Sequence, residues 1–253
     1  MLTQTNVNYN LYLVDSDGDM VADQGGCGFA SKLILDGGSI CCEMVDSSGQ
    51  TLTGAYDLVP ILDAFVAAHP DFSFRGAKAT LALTGYNGLF GYRTDRDARE
   101  QLGEEAYNQA VQQVNQVSSA LVKNGYTLAC YTYDNVPYGD NSVAHIKADL
   151  SNWNAEVVPI LGGVDILVYA QNSDINSGSG YAGEKYETLR NAGFNFYLGF
   201  CDNGKPWVEI GDNYVRQGRI LVSGNALQNN AEWFNGMFDA ASVLDVARNI
   251  SND

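Results

Sequence analysis

The stretch YLVDSDGDMVAD brings four carboxylates close together, Asp15, Asp17, Asp19 and Asp23. Such side chains are hard oxygen ligands, and these four match positions 1, 3, 5 and 9 of a calcium loop. Where that loop needs a glycine at position 6 and an acid at position 12, the chain has Met20 and Gly26. No helix pair flanks it, so the stretch also reads as an acidic loop leaving a strand. It is still the best cation candidate in the chain. A second stretch, GYTLACYTYDN at 125–135, reads as a turn glycine, a strand and a polar loop. It sets Tyr131 and Asn135 four residues apart, at the kind of strand end where a parallel sheet opens its active site.

Other chemistries find less support. The chain has two histidines, His69 at a helix end and His145 off the apolar stripe of its helix, and both are expected to be exposed. Neither lies beside a nucleophile in any motif, so Ser-His-Asp and Cys-His catalysis are not expected. TGYNGLFGYRTD is glycine-rich but lacks the GxxxxGK[ST] pattern of a phosphate loop. The five cysteines, Cys27, Cys41, Cys42, Cys130 and Cys201, form no CxxC pair and read as small buried residues. Trp207, Tyr214 and Arg216 in PWVEIGDNYVRQGR could face a sugar ring or pack in the core.

The elements that must position these residues follow from length and pattern. A chain of 253 residues, 45% hydrophobic and 17% charged, has enough apolar surface for a full α/β core. A formal net charge of −16 with scattered basic residues argues against nucleic-acid and anionic-membrane partners. No apolar run approaches a membrane span, and MLTQTNVNYN lacks the basic start and apolar stretch of a signal peptide. Strands are expected at 9–15, 77–85, near 128, 164–170 and 195–200, with PWVEI and RILVS after them. A hairpin over about 32–45 turns at Asp-Gly-Gly. Helices are expected over 56–72, with Leu58, Ile61, Leu62, Phe65 and Ala68 inward, and over 96–124, with Ala106, Ala110, Val114, Val117 and Leu121 inward. A further helix over 141–163 should turn Val143, Ile146, Leu150, Trp153 and Val157 inward. Strands alternating with helices predict a parallel sheet or barrel, and no linker divides residues 1–253 into two domains.

This order, with AKATLALTG followed by a long helix ending LVKNGYTLACYTYDN, resembles the polysaccharide deacetylase family, the NodB homology domain. TLRNAGFNFYLGFCDNGKPW is similar to the family segment ending in Asp and Trp, and RILVS to its last strand. The resemblance covers nearly the whole chain. GAYDLVPILDAFVAAHPDFSFRGAKATLALTGYNGLFGYRTD looks more specifically like a subgroup with an early hairpin insertion. It implies a distorted (β/α) barrel and hydrolysis of N-acetyl groups on sugars. In that chemistry an Asp and two His, spaced His-x3-His, hold a metal that activates water. A second Asp is the base and a further His the acid.

Carried over, the two metal histidines fall on Tyr131 and Asn135, and the acid histidine falls near Ser223. The Arg-Pro-Pro-Tyr stretch falls near YAQNS, without the arginine. Asp15 takes the base position, and the metal aspartate becomes Ser16, or Asp17 with a one-residue slip. The resemblance therefore implies Asp15 as the catalytic residue and Asp17 with Asn135 as metal ligands. Tyr86, Arg93, Tyr131, Asp174, Asp202 and Trp207 would line the substrate cleft. The expected function is a catalytically degenerate, glycan-binding protein of carbohydrate metabolism, outside the membrane as the family is. The alternatives are an active N-deacetylase with a carboxylate-rich site, and a module stabilised by calcium. No cofactor is assigned with certainty, and the class the residues admit is a divalent cation: Ca, Mg, Mn or Zn. The partner implied is an N-acetylated glycan.

Overall fold

The computed structural model describes residues 2–4, 30–46, 48–176, 178, 180–201 and 203–244. The strand expected over 9–15 lies outside them, as do Asp15, Asp17, Asp202 and Cys27. The chain is mixed α/β. Strand β1 (Leu2–Gln4) is followed by β2 (Ala30–Asp36), β3 (Ser39–Val45) and β4 (Thr51–Gly54), which form a separate antiparallel sheet. The expected hairpin is the β2–β3 pair, which pairs Asp36 with Ser39 across Gly37 and Gly38, at φ of 54° and 88°. Two left-handed residues in a two-residue loop match the right-handed twist of the strands, which is why glycine occupies both. Along β3 the side chains alternate, so Cys42 is buried while Cys41 faces the other way. Burial, then the nearby Asp57 carboxylate, pushes the Cys42 thiol up to about 12, leaving it unreactive.

Helix α1 (Leu58–Ala68) starts at the Asp57 cap and leads to β5 (Ala79–Leu83), which is buried along its full length. Helices α2 (Arg96–Leu102) and α3 (Glu104–Lys123) cross to β6 (Thr127–Cys130), and α4 (Val143–Glu156) with α5 (Val158–Leu161) crosses to β7 (Ile166–Val168). Helix α6 (Glu184–Asn191) returns to β8 (Phe196–Phe200). Strand β9 (Trp207–Ile210) goes to the edge, and β10 (Val215–Arg219) turns back between β8 and β9. The sheet order is β1-β5-β6-β7-β8-β10-β9, parallel throughout except for β9. Short helices α7 (Gly224–Asn229) and α8 (Ala240–Val243) close the described chain. Among the described residues no pairing joins β1 to β9, so they form an open sheet.

The two faces of the sheet differ. One carries Leu81, Leu83, Leu128, Leu167 and Tyr197 against Val114, Val117, Leu121, Ile146, Leu150 and Trp153 of the crossover helices. The other, here called the inner face, carries Ala82, Ala129, Ile166, Val168 and Leu198, with Tyr131 packed on them. Alternation along each strand makes this division, and four aligned strands, β5 to β8, extend it into two layers.

Three expectations are corrected. The helix expected over 96–124 is interrupted at Gly103, and Ala106 is exposed. Helix α1 buries Val59, Pro60 and Leu62, and leaves Ile61 and Phe65 at 53% and 45% exposure. Its sequence, LVPILDAFVAA, is apolar almost all round, so its periodicity cannot select the inward face. The last parallel strand is Val215–Arg219, not RILVS. A turn joining Ile210 to Val215 pairs β10 with β9 from Val215 to Gly218 and fixes that register.

Candidate functional site

The loops after β5, β6 and β7 meet at the carboxyl ends of the parallel strands, where open α/β sheets bind ligands. Among the described residues, seven non-glycines have positive φ, and six lie in these loops: Asn87, Phe90, Thr132, Asn135, Gln171 and Asn172. Backbone held this way costs about 1–3 kcal/mol per residue and persists only where the surroundings fix it. Thr132 is the extreme case, a buried β-branched residue at φ 65°. Its hydroxyl accepts the Val136 amide at 2.8 Å.

The fixing group of the β6 loop is Asp149, buried on α4. Its carboxylate accepts the Tyr133 amide at 2.8 Å, the Asp134 amide at 3.0 Å and the Tyr138 hydroxyl at 2.6 Å. Burial, then the neighbouring Asp149 carboxylate, raises the Asp134 pKa, against the opposing pull of His145. Gly85 admits the Tyr133 ring, because a Cβ there would stand 2.4 Å from it. The Gly85 and Tyr86 amides then both donate to the Tyr133 carbonyl at 3.0 Å, joining the β5 and β6 loops. Gly139 donates to the Ser173 carbonyl at 2.9 Å, joining the β6 and β7 loops.

On this frame Tyr131 and Asn135 come together with Gln171. The Gln171 amide donates to the Tyr131 hydroxyl at 3.2 Å, and its side-chain amide donates to the Asn135 carbonyl at 3.4 Å. Asn172 beside them closes the loop onto β8, donating to the Phe200 carbonyl at 3.0 Å and accepting the Phe200 amide at 2.6 Å. Tyr131 stands in one inner-face row with Val168, Leu198 and Gln217, by the register of the parallel pairs. Arg219 is two residues further along β10, within electrostatic reach of Tyr131. Ser223, near which the acid histidine would fall, caps α7 and accepts the Ala226 amide at 3.1 Å.

The other expected site residues sit elsewhere. Tyr86, 42% exposed, lines a separate cavity of about 200 Å³ with Asp95, Arg96, Tyr133 and Glu156. Arg93 grips Asp95 with both arms, at 2.8 and 3.2 Å, while Asp95 caps α2 by accepting the Ala98 amide at 2.9 Å. Asp174 and Trp207 meet around Arg216, whose backbone pairs with Tyr197 on the face opposite Leu198. Arg216 is buried and donates to Asp174 at 2.9 Å and to the carbonyls of Asn176 and Gly178 at 2.9 and 2.7 Å. The Tyr181 ring lies 4.5 Å from its guanidinium, and the Tyr181 hydroxyl donates to Asp174 at 2.7 Å.

Asp149, Gln171, Asn172 and Arg219 were not singled out from the sequence. Asp149 had a signal, an acid three residues after Ile146 and four before Trp153 on an apolar stripe. Gln171 and Asn172 had only their place past a strand. The donor set gathered at the strand ends is a phenol and two carboxamides, and these do not by themselves make a divalent-metal site. Among the described residues no group of three or more His, Cys, Asp or Glu is placed to hold a metal. No helix among them is long and apolar enough to cross a membrane.

No protein-family model and no curated protein matches the chain. Among solved structures it is similar to a "putative polysaccharide deacetylase from Mycobacterium smegmatis", at 11% identity and a TM-score of 0.38, over 66% of this chain and 47% of that one. The chain thus spans about half the length of that protein. The resemblance to deacetylases rests on the sequence segments and on element order.

Proposed function

We propose that the chain is a polysaccharide-deacetylase-like protein whose strand-end cleft binds an N-acetylated glycan without the family's histidine-bound metal. On this reading the open sheet belongs to a distorted barrel, and residues 1–253 act as one domain. The observation that carries it is the convergence of Tyr131, Asn135 and Gln171 on strained loops after adjacent strands. Phenols and carboxamides donate and accept hydrogen bonds without changing charge, which suits hydroxyl and acetamido groups. The Asn135 side chain makes no hydrogen bond to another described residue and remains available to a ligand.

The test is calorimetric titration with N-acetylglucosamine tetramer. The expected result is 1:1 binding that Asn135→Ala and Tyr131→Phe each weaken by about five- to tenfold, the scale of one hydrogen bond. Binding unchanged in both variants, or none in the parent chain, overturns the reading.

A second reading, an active N-deacetylase with a hard-cation site, draws on Asp15, Asp17, Asp134, Asn135 and Asp174. The engagement of Asp174 with Arg216 and Tyr181 removes one ligand from that set, and Asp15 and Asp17 lie outside the described residues. Its test is elemental analysis after dialysis against Zn, Mn or Ca. One tightly held metal per chain, together with deacetylation of the tetramer, would replace the first reading.

A further inference from the structure

A second concavity lies on the inner face of β10, where the start of β5 and the C-terminal segment meet it. It encloses about 670 Å³, within the range of small-molecule sites. Its walls are mainly apolar: Phe72, Phe74, Val222, Phe234, Met237 and Phe238. Phe234 is fully buried at its base, whereas Phe74, Val222 and Met237 are 77%, 60% and 58% exposed at its rim. Exposed apolar side chains around a concavity of this size mark a binding surface.

Two cations also line it, Lys78 and Arg219. Lys78 is already neutralised by Asp63, which the Tyr126 hydroxyl and the Asn124 amide hold in place at 2.8 and 2.6 Å. Arg219 differs. Its Nε donates to the Gly199 carbonyl at 2.9 Å, and among the described residues it meets no carboxylate. Burial lowers its pKa, but a guanidinium keeps its proton in proteins, so the cavity retains a fixed positive charge with bonding capacity to spare.

From the apolar walls and this one cation we infer that the cavity binds a small amphipathic anion, an acyl or aryl body bearing a carboxylate. The body covers the phenylalanines and Met237. The carboxylate accepts from the Arg219 guanidinium in a charge-assisted hydrogen bond. A neutral glycan fits poorly here, since its hydroxyls would lose water against apolar walls. The inference does not rest on the glycan reading and can hold if that reading fails.

The experiment is calorimetric titration with decanoate and with decan-1-ol, each below its solubility limit. The intact chain is expected to bind one decanoate at least tenfold tighter than the alcohol. Arg219→Gln should remove that preference and leave alcohol affinity within twofold. Met237→Glu, at an exposed rim position that does not threaten folding, should weaken decanoate by tenfold or more. Equal affinity for acid and alcohol, no decanoate binding, or unchanged decanoate affinity in Arg219→Gln overturns the inference. If Arg219→Gln does not fold, the acid-to-alcohol ratio and Met237→Glu decide it. Closure of the cavity by a second copy of the chain would appear as a dimer on size exclusion with no decanoate binding, and would also overturn it.

Discussion

Two arginines three residues apart on β10 have opposite fates. Arg216 faces the helix-covered side, and both its terminal nitrogens are engaged: a carboxylate, two carbonyls and two aromatic rings surround it, with Glu209 3.6 Å away, and only its buried Nε finds no partner among the described residues. The Arg219 side chain faces the inner side and makes one described hydrogen bond. A one-residue change of parity on a strand inverts the environment completely. The engaged arginine is a structural pin that ties Asp174, Asn176 and Gly178 to β10. The other keeps its bonding capacity beside the strand-end cleft and an apolar cavity. Burial and pairing, more than charge itself, separate an arginine that holds the fold from one that meets a ligand.

The largest expected effect is on the pin. Arg216→Met leaves Asp174 half-buried without its cation, and breaking such a pair costs about 3–5 kcal/mol. Urea denaturation should show that loss, and a change below about 1 kcal/mol would break the contrast between the two arginines.

Asp149 is a second pin, for the β6 loop. Asp149→Asn turns a charged acceptor of three bonds into an amide that cannot satisfy all three donors. A loss of about 2–3 kcal/mol is expected in the same assay. Glycan affinity should fall with it, because Tyr131 and Asn135 lie on the loop that Asp149 holds.

Asp95 gives a smaller, pH-dependent effect. Burial raises its pKa, but the Arg93 guanidinium and the Ala98 amide outweigh burial and hold it below the usual carboxylate range. A folded-state pKa below the unfolded value of about 3.9 contributes stability above that value, and the contribution is lost as pH falls through the folded pKa. Asp95→Ala should cost about 1–2 kcal/mol at pH 7 as a lost helix cap. The gap from the parent chain should close as the titration is carried below about pH 4. A gap independent of pH would contradict the pairing with Arg93.

The smallest effect belongs to Arg219→Gln, expected at about 1 kcal/mol or less in urea denaturation, since one hydrogen bond to the Gly199 carbonyl is lost and no described ion pair is broken. A loss as large as that of Arg216→Met would mean that Arg219 is also a pin.

Much of this scaffold was legible from sequence, for local reasons. Asp-Gly-Gly announced the hairpin, and the apolar run GAKATLALTG, bounded by glycines, announced a buried parallel strand. The stripe Val143, Ile146, Leu150, Trp153 and Val157 announced the inward side of α4 and the residue after it, and all but the half-buried Val143 are buried. The inward face of α1 was not legible, because an almost wholly apolar helix has no polar face to exclude. β10 was missed because its residues, VRQGR, have weak strand propensity. Pairing with β8 and β9 overrides propensity there, while the aliphatic Ile220–Val222 run lies past the strand. At the candidate site, Tyr131 and Asn135 were found by their place after a strand. Gln171 joins them through a left-handed backbone that a non-glycine sequence does not advertise. Arg219 and Arg216 could be told apart only once strand register fixed which face each one takes.

The measurement closest to the central claim is an amide-resolved NMR titration of the intact chain with N-acetylglucosamine tetramer. Saturable shifts concentrated at Tyr131–Asn135 and Gln171–Asn172, and abolished by Asn135→Ala, are the expected result. Absence of shifts there at millimolar ligand, or shifts centred on Trp207 and Asp174, would contradict a glycan site at the strand ends.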